Sequence, residues 1–243
     1  MTIEFRPPRP EEEPQLRALF TEAFGDAAFT DLFFRTGFSP DRCLVAADGE
    51  LLAAQHWFDC SLDGKKAAYL YGIAAFKKYR GRGFGSKLVQ EGVEYLKRMG
   101  FDIILLVPAE ASLFGYYQRF GFRTVSTIRE MRITAGTPLP IRRLSTGEYA
   151  ALRRTYLPAH SLLQEGPCLD LLAGYANFYA TPNAVAAVTD GTVWELLGDP
   201  DDAPGLLGAL GLPSASVRTP GDGRPFAMAI GTEPPVYLGL ALD

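Results

Sequence analysis

The stretch KKYRGRGFGSKL, Lys77–Leu88, sets three glycines, Gly81, Gly83 and Gly85, among Lys77, Lys78, Arg80 and Arg82. Before it runs the apolar, strand-like YLYGIAA. After it Leu88, Val89, Val93, Leu96 and Met99 recur at helical spacing, with Gly100 as the expected C-cap. A glycine-rich basic run of this kind is either a solvated turn or a backbone cradle for a phosphate, and its flanks decide which. Gly92, inside the helical pattern, costs about 1 kcal/mol against alanine, so close packing on a sheet is expected there.

Three motif readings fail on spacing or charge. A Rossmann turn needs its first glycine directly after the strand, and FKKY intervenes; no acid ends the next strand either. A Walker loop needs G-x-x-x-x-G-K-[ST], which Gly85-Ser86-Lys87 does not complete. A single basic cluster on a chain of formal net charge -4 is a poor nucleic-acid footprint, so no nucleic-acid partner is expected.

Outward from the run, the chain reads as a mixed α/β protein. TIEFR is a short strand stopped by Pro7 and Pro8, and EEEPQLRALFTEAF and FTDLFFRTGF are helices. Asp48-Gly49 and Asp63-Gly64 join three antiparallel strands into a meander, because Asp-Gly suits tight hairpin turns. FDIILLV is continuously apolar, as a strand buried on both faces is, and EASLFGYYQRF is a short helix ended by Gly121. GFRTVSTIREMRIT returns as one or two strands. AGTPLP, residues 135–140, is the expected linker, which divides the chain into domains 1–135 and 136–243. The second half shows a strand–helix opening, an Asp-Gly hairpin at Asp190-Gly191 and a short helix in DDAPGLLGALGL. SASVRT, FAMAIG and VYLGLAL read as closing strands, and TPGDGRP, with no amphipathic helix after it, is not a second cradle.

The 243 residues are 47% apolar and 21% charged, as a folded globular chain is. Cys43, Cys60 and Cys168 offer neither a disulfide framework nor metal spacing, and His56 and His160 are too few for a histidine-rich metal site. No metal is expected. A cytoplasmic location is the default, since the start lacks the apolar core of a signal peptide. AAYLYGIAAF is about half the length a bilayer needs, so no membrane partner is expected.

Arg80-x-x-Gly83-x-Gly85, between strand and helix, resembles motif A of the GNAT superfamily of N-acetyltransferases. DIILLVP and LFGYYQRFGF, in that order, resemble its next strand and its closing helix, the likeness covering about residues 2–135. The resemblance implies a GNAT acyl-CoA fold with a mixed, mostly antiparallel sheet, and acetyl-CoA as co-substrate. Arg80, Gly81, Arg82, Gly83, Phe84, Gly85 and Ser86 would hold the pyrophosphate. The chemistry fits, because N–H groups at a helix N-terminus bind anions and glycine lets the backbone come close. At least two of the four basic side chains are expected to be merely solvated. Ile73, Ala74 and Ala75 would hold the pantetheine arm by backbone groups, one N–H of that strand polarising the thioester carbonyl. Tyr117, four residues before Gly121, would protonate the departing sulfur, although an aromatic on a short helix also serves as core packing.

The implied reaction is acetyl transfer to a primary amine of a small molecule or a peptide. The sequence offers no clear base. Glu110, at the start of the EASLFGYYQRF helix, is the candidate, and capping that helix is its other role. His56 is expected to be structural. The runner-up is a non-catalytic CoA-binding regulatory module of the same fold. The second half resembles a degenerate acetyltransferase-like domain, expected to shape the acceptor pocket or to form an oligomer contact such as a homodimer's. Enzymes of the enhanced-intracellular-survival type use a terminal carboxylate and carry a further domain. This chain is too short for that arrangement, so Asp243 is not assigned as a base.

Overall fold

Prolines stop the first strand, β1 (Glu4–Arg6), within three residues. The next corner is held by Glu12, which accepts both the Arg9 backbone N–H at 2.7 Å and the Arg6 guanidinium at 2.7 and 2.8 Å. Helix α1 (Glu13–Phe24) buries Leu16, Leu19 and Phe20. Helix α2 (Ala27–Thr36), N-capped by the Asp26 carboxylate on the Phe29 N–H, buries Leu32, Phe33 and Phe34. The meander follows as β2 (Cys43–Ala47), β3 (Leu51–Leu62) and β4 (Lys65–Ala75), paired antiparallel. At its second turn Asp63 and Gly64 both take positive φ, 50° and 77°, as a type I′ hairpin requires. Helix α3 (Phe84–Arg98) crosses over to β5 (Ile103–Leu106), which lies parallel to β4 with all four residues buried. Helix α4 (Ser112–Gln118) and the two-residue β6 (Arg123–Thr124) come next.

The structure, a computed structural model, describes residues 3–242; Asp243 lies outside the described residues. The chain divides into two units. One holds the residues up to Arg123 together with Met228–Thr232, and the other holds Thr124–Ala227 and the residues from Glu233 on.

In the second unit β7 (Thr127–Thr134), β8 (Arg142–Leu144), α5 (Thr146–Tyr156), α6 (Pro167–Ala173), β9 (Asn177–Ala180), β10 (Ala184–Thr189), β11 (Thr192–Gly198), α7 (Ala203–Leu210) and β12 (Ser214–Pro225) follow in order. Its sheet runs β7-β12-β11-β10-β9-β8, with only β11 and β12 parallel. Ser145 and Glu148 form a capping box at α5. At the centre Glu195, fully buried, accepts Arg153 Nε at 2.6 Å, Tyr149 Oη at 2.7 Å and Tyr237 Oη at 3.0 Å. With Arg153 Nη2 also donating to it at 3.0 Å, four oxygen and nitrogen partners satisfy a charge that would be costly to bury alone.

Three stretches differ from the sequence reading. AGTPLP is no free linker: Gly136 and Leu139 donate to Pro204 and Gly205 carbonyls, and a Cβ on Gly208 would stand 2.2 Å from the Gly136 oxygen. VYLGLAL forms no ladder. Its backbone is met at Tyr237 by a single parallel bridge to Ser161, and at Leu240 by the Gln164 side chain, which both donates to it and accepts from it. FAMAIG leaves the second sheet altogether. Its strand β13 (Met228–Ile230) pairs antiparallel with β5, so the first sheet runs β1-β2-β3-β4-β5-β13-β6. TPGDGRP lies within β12, where the register with β7 breaks between Thr219 and Arg224.

Candidate acyl-CoA site

After β4 the chain makes one 3-10 turn over Lys77–Tyr79 and is folded back by Arg80, whose Nε donates to the Ala75 carbonyl at 3.0 Å. Gly81 and Gly83 then take φ of 75° and 81°, and Gly83 is the N-cap residue of α3. That left-handed corner starts the helix without any side-chain cap. The first-turn N–H groups of an α-helix have no intrahelical partner, and the helix dipole adds about half a positive charge there. A Cβ on Gly81 or Gly83 would meet nothing within 4 Å, and one on Gly85 only Tyr116 Oη, at 3.9 Å. Open space therefore stands in front of uncapped donors. This suits a phosphate.

The basic side chains contribute less than the sequence implied. Lys78 is paired with Glu50 at 2.6 Å, which raises its ammonium to about 12; Tyr79 also donates to Glu50. Arg80 is tied to Ala75, and Arg82 lies over the rings of Tyr79 and Phe84 at 5.7 and 5.3 Å. The pull on an anion falls mainly on the backbone and the dipole.

The strand before the run has an open edge. Parallel pairing with β5 covers Ala67↔Ile103 to Tyr69↔Leu105 and stops, while β4 continues to Ala75. The bend lies at Gly72, at φ 60°, where β4 carries an extra residue: Gly72 and Ile73 stand opposite the single Gln55 of β3, between the pairs Tyr71↔His56 and Ala74↔Ala54. A bulge of this kind bends the strand and increases its twist. Position 72 also has to be small, since a Cβ would approach the Phe20 ring at 3.0 Å and His56 at 3.2 Å. Beyond the bend Ile73, Ala74 and Ala75 are half-buried; Ala74 and Ala75 pair with β3 on one side. Among the described residues no strand covers their other side.

Tyr117 is buried in the core cluster between the sheet and α3, with Phe122 at 5.9 Å and Tyr116 at 5.1 Å. Burial, with a smaller contribution from Tyr116, pushes its phenol up to about 12, so it keeps its proton at neutral pH. Glu110 is exposed, in the turn before α4, within 3.3 Å of Ser112 Oγ; the N-cap residue itself is Ala111. Asp59 is committed to Arg42, with two contacts of 2.7 Å. His56 sits in a box of Phe20, Phe33, Phe34 and Phe38, ring centroids 5.1 to 6.4 Å away, and burial lowers its imidazole to about 3. It is neutral and structural.

Sequence reasoning missed Gly72, Gln55 and the reach of Tyr116 to Ser86, whose oxygens lie 3.2 Å apart. A glycine inside an otherwise apolar strand, YLYGIAA, was the available signal for the bulge. Gly92 is explained by the same bulge: a Cβ there would fall 1.8 Å from Gln55 Nε2.

Residues 4–125 match the family model of an acetyltransferase (GNAT) domain. No curated protein matches the chain. Among solved structures it is similar to a GCN5-related N-acetyltransferase from Kribbella flavida, at 18% identity over 94% of this chain and 70% of that one, with a TM-score of 0.68. A GCN5-related N-acetyltransferase from Anabaena variabilis gives 13% identity, 94% and 72% coverage and a TM-score of 0.71. Eis1 from Mycobacterium abscessus gives 18%, 91% and 67%, and 0.66. These likenesses concern the fold.

Proposed function

The chain belongs to the GNAT acetyltransferase family, and on that footing we propose that it moves an acetyl group from acetyl-CoA to a primary amine of a small molecule or peptide. The observation that carries the reading is the pairing of an uncapped helix N-terminus, fronted by open space at Gly81 and Gly83, with the uncovered strand edge at Ile73–Ala75 just before it. The pyrophosphate of acetyl-CoA takes the first: the N–H groups from Gly83 to Ser86 bind it, and Gly85 leaves it room. The pantetheine arm adds to the second as a further strand would, through backbone groups of Ile73, Ala74 and Ala75. A β4 N–H at the bend then polarises the thioester carbonyl and holds the oxyanion as the amine attacks.

The C–S bond breaks as the tetrahedral intermediate collapses, and Tyr117 gives its proton to the sulfur. A phenol near 12 is a reluctant donor to a free thiolate of ordinary pKa about 8.5. The same low-dielectric surroundings disfavour the sulfur anion too, so the transfer is driven as charge builds on sulfur. Glu110 is the weaker assignment. It is exposed, and an amine that arrives neutral attacks without prior deprotonation; the N–H proton it sheds as the amide forms passes to water, from which the Tyr117 phenolate regains its own.

The test is a screen of amine acceptors that follows CoA release. Tyr117→Phe then keeps the ring and removes the proton, and turnover should fall by about 10²–10⁴ with CoA affinity unchanged. Near-normal turnover in that variant, with chemistry rate-limiting, returns Tyr117 to a packing role. Acetyl-CoA that leaves the melting temperature of the wild-type protein unmoved at saturating concentration counts against the whole reading.

A further inference from the structure

Ser86 and Tyr116 join the first turn of α3 to the middle of α4. Their oxygens are 3.2 Å apart, and either can donate. Both side chains are half-buried. The Tyr116 ring is fixed from several sides, by the Arg119 guanidinium at 4.8 Å, by Phe120 at 5.2 Å and by Tyr117 at 5.1 Å. Its hydroxyl is also the one heavy atom near the Cβ position of Gly85. A phenolic oxygen is thus held over the turn whose N–H groups have no side-chain cap.

We propose that Tyr116 is a positioning residue of the acyl-CoA site, its O–H donating to Ser86 Oγ so that the Ser86 O–H is turned toward the pyrophosphate. This rests on the acetyl-CoA reading above. A serine hydroxyl has one proton and two lone pairs. In the free protein the bond between the two hydroxyls can run either way. A phosphate in front of α3 accepts protons and gives none. Once Ser86 donates its single proton to the phosphate, it can keep Tyr116 only as an acceptor. The chain then runs from the Tyr116 O–H to Ser86 Oγ, and from the Ser86 O–H to a phosphate oxygen. Each bond polarises the next, and the last has a charged acceptor, the stronger kind. The neighbouring tyrosines divide the labour: Tyr116 serves binding at the phosphate end and Tyr117 serves proton delivery at the sulfur.

The experiment is calorimetric titration of CoA into wild type, Tyr116→Phe, Ser86→Ala, Ser86→Thr and the Tyr116→Phe/Ser86→Ala pair, with the melting temperature of each free protein. Ser86→Ala is expected to weaken CoA about ten-fold, as loss of one hydrogen bond to a charged group does, and Tyr116→Phe about five-fold. The double variant should lose no more than Ser86→Ala alone, because the relay acts through one hydroxyl. Ser86→Thr, which keeps that hydroxyl, should bind CoA as wild type does. The melting temperature of free Tyr116→Phe should hold. Unchanged CoA affinity in Tyr116→Phe overturns the relay, and so do losses that multiply in the double variant. Wild type that binds no CoA overturns the acetyl-CoA reading and the relay with it, whereas CoA binding indifferent to position 116 overturns the relay alone.

Discussion

The glycines of Gly81–Gly85 and those of α7 are the same residue kept for opposite reasons. In the run, an added Cβ at Gly81 or Gly83 meets empty space. In α7, a Cβ on Gly205 would stand 2.3 Å from Leu139, and one on Gly208 would stand 2.2 Å from the Gly136 carbonyl oxygen. The second pattern is glycine as a packing surface, where two stretches of chain approach closer than any side chain allows. The first is glycine with nothing against it, at the end of a helix that lacks a side-chain cap. A packed glycine explains itself. An unpacked one beside free donors asks for something from outside the chain.

This contrast can be broken by substitution. The largest effect is expected from Gly208→Ala, whose methyl meets backbone that cannot swing away: denaturant unfolding should show a loss of about 3 kcal/mol. A loss under about 0.5 kcal/mol would mean that the segment 135–140 yields freely. Gly85→Asp should invert the pattern. Its position is helical and open, and an acid in the first turn favours the helix dipole, so the free protein should be as stable as wild type or slightly more so. Yet CoA affinity should fall by about 50-fold, because the carboxylate sits where a pyrophosphate would and repels it. Full affinity in a folded Gly85→Asp protein would remove the anion from the first turn of α3.

The smallest effect concerns pH. His56 has a folded pKa near 3 against an unfolded value of 6.5, so below 6.5 the unfolded chain takes up a proton that the folded one refuses. Its contribution to stability is present above pH 6.5 and is lost as pH falls toward 3. Between pH 6.5 and 5.5 the loss is about 1 kcal/mol. Comparing urea midpoints of wild type and His56→Leu at the two pH values isolates it, since other groups titrate in both. Equal pH slopes would mean that His56 is protonated in its phenylalanine box.

What the sequence disclosed was local. The Asp-Gly turns, the apolar β5 and the glycine run are each defined by neighbours within a few residues, and they stand where their residue types put them. What it hid depends on distant partners. FAMAIG and VYLGLAL look equally strand-like, yet one finds β5 and the other finds only a single bridge at Ser161 and a glutamine side chain. Proline and glycine in AGTPLP announce irregular backbone but not that α7 lies against it. At the site, the basic residues of the run could not be sorted from sequence. Glu50, which engages Lys78, comes from another part of the fold, and Arg80 meets the Ala75 carbonyl only because the chain folds back after the turn Lys77–Tyr79. Tyr116 reads as a twin of Tyr117, and only the approach of α4 to α3 separates them.

The return of β13 to the first sheet has a consequence for how the chain is born. Emerging from the ribosome at about 5–20 residues per second, β5 waits for a neighbour made about 120 residues later, about 6–24 seconds. Until then Ile103–Leu106 presents a bare, wholly apolar strand edge, the kind that invites pairing with another chain. The nascent protein is therefore most exposed to misassembly after its first unit has largely been made and before its second is complete. A holding chaperone would be most useful in that interval.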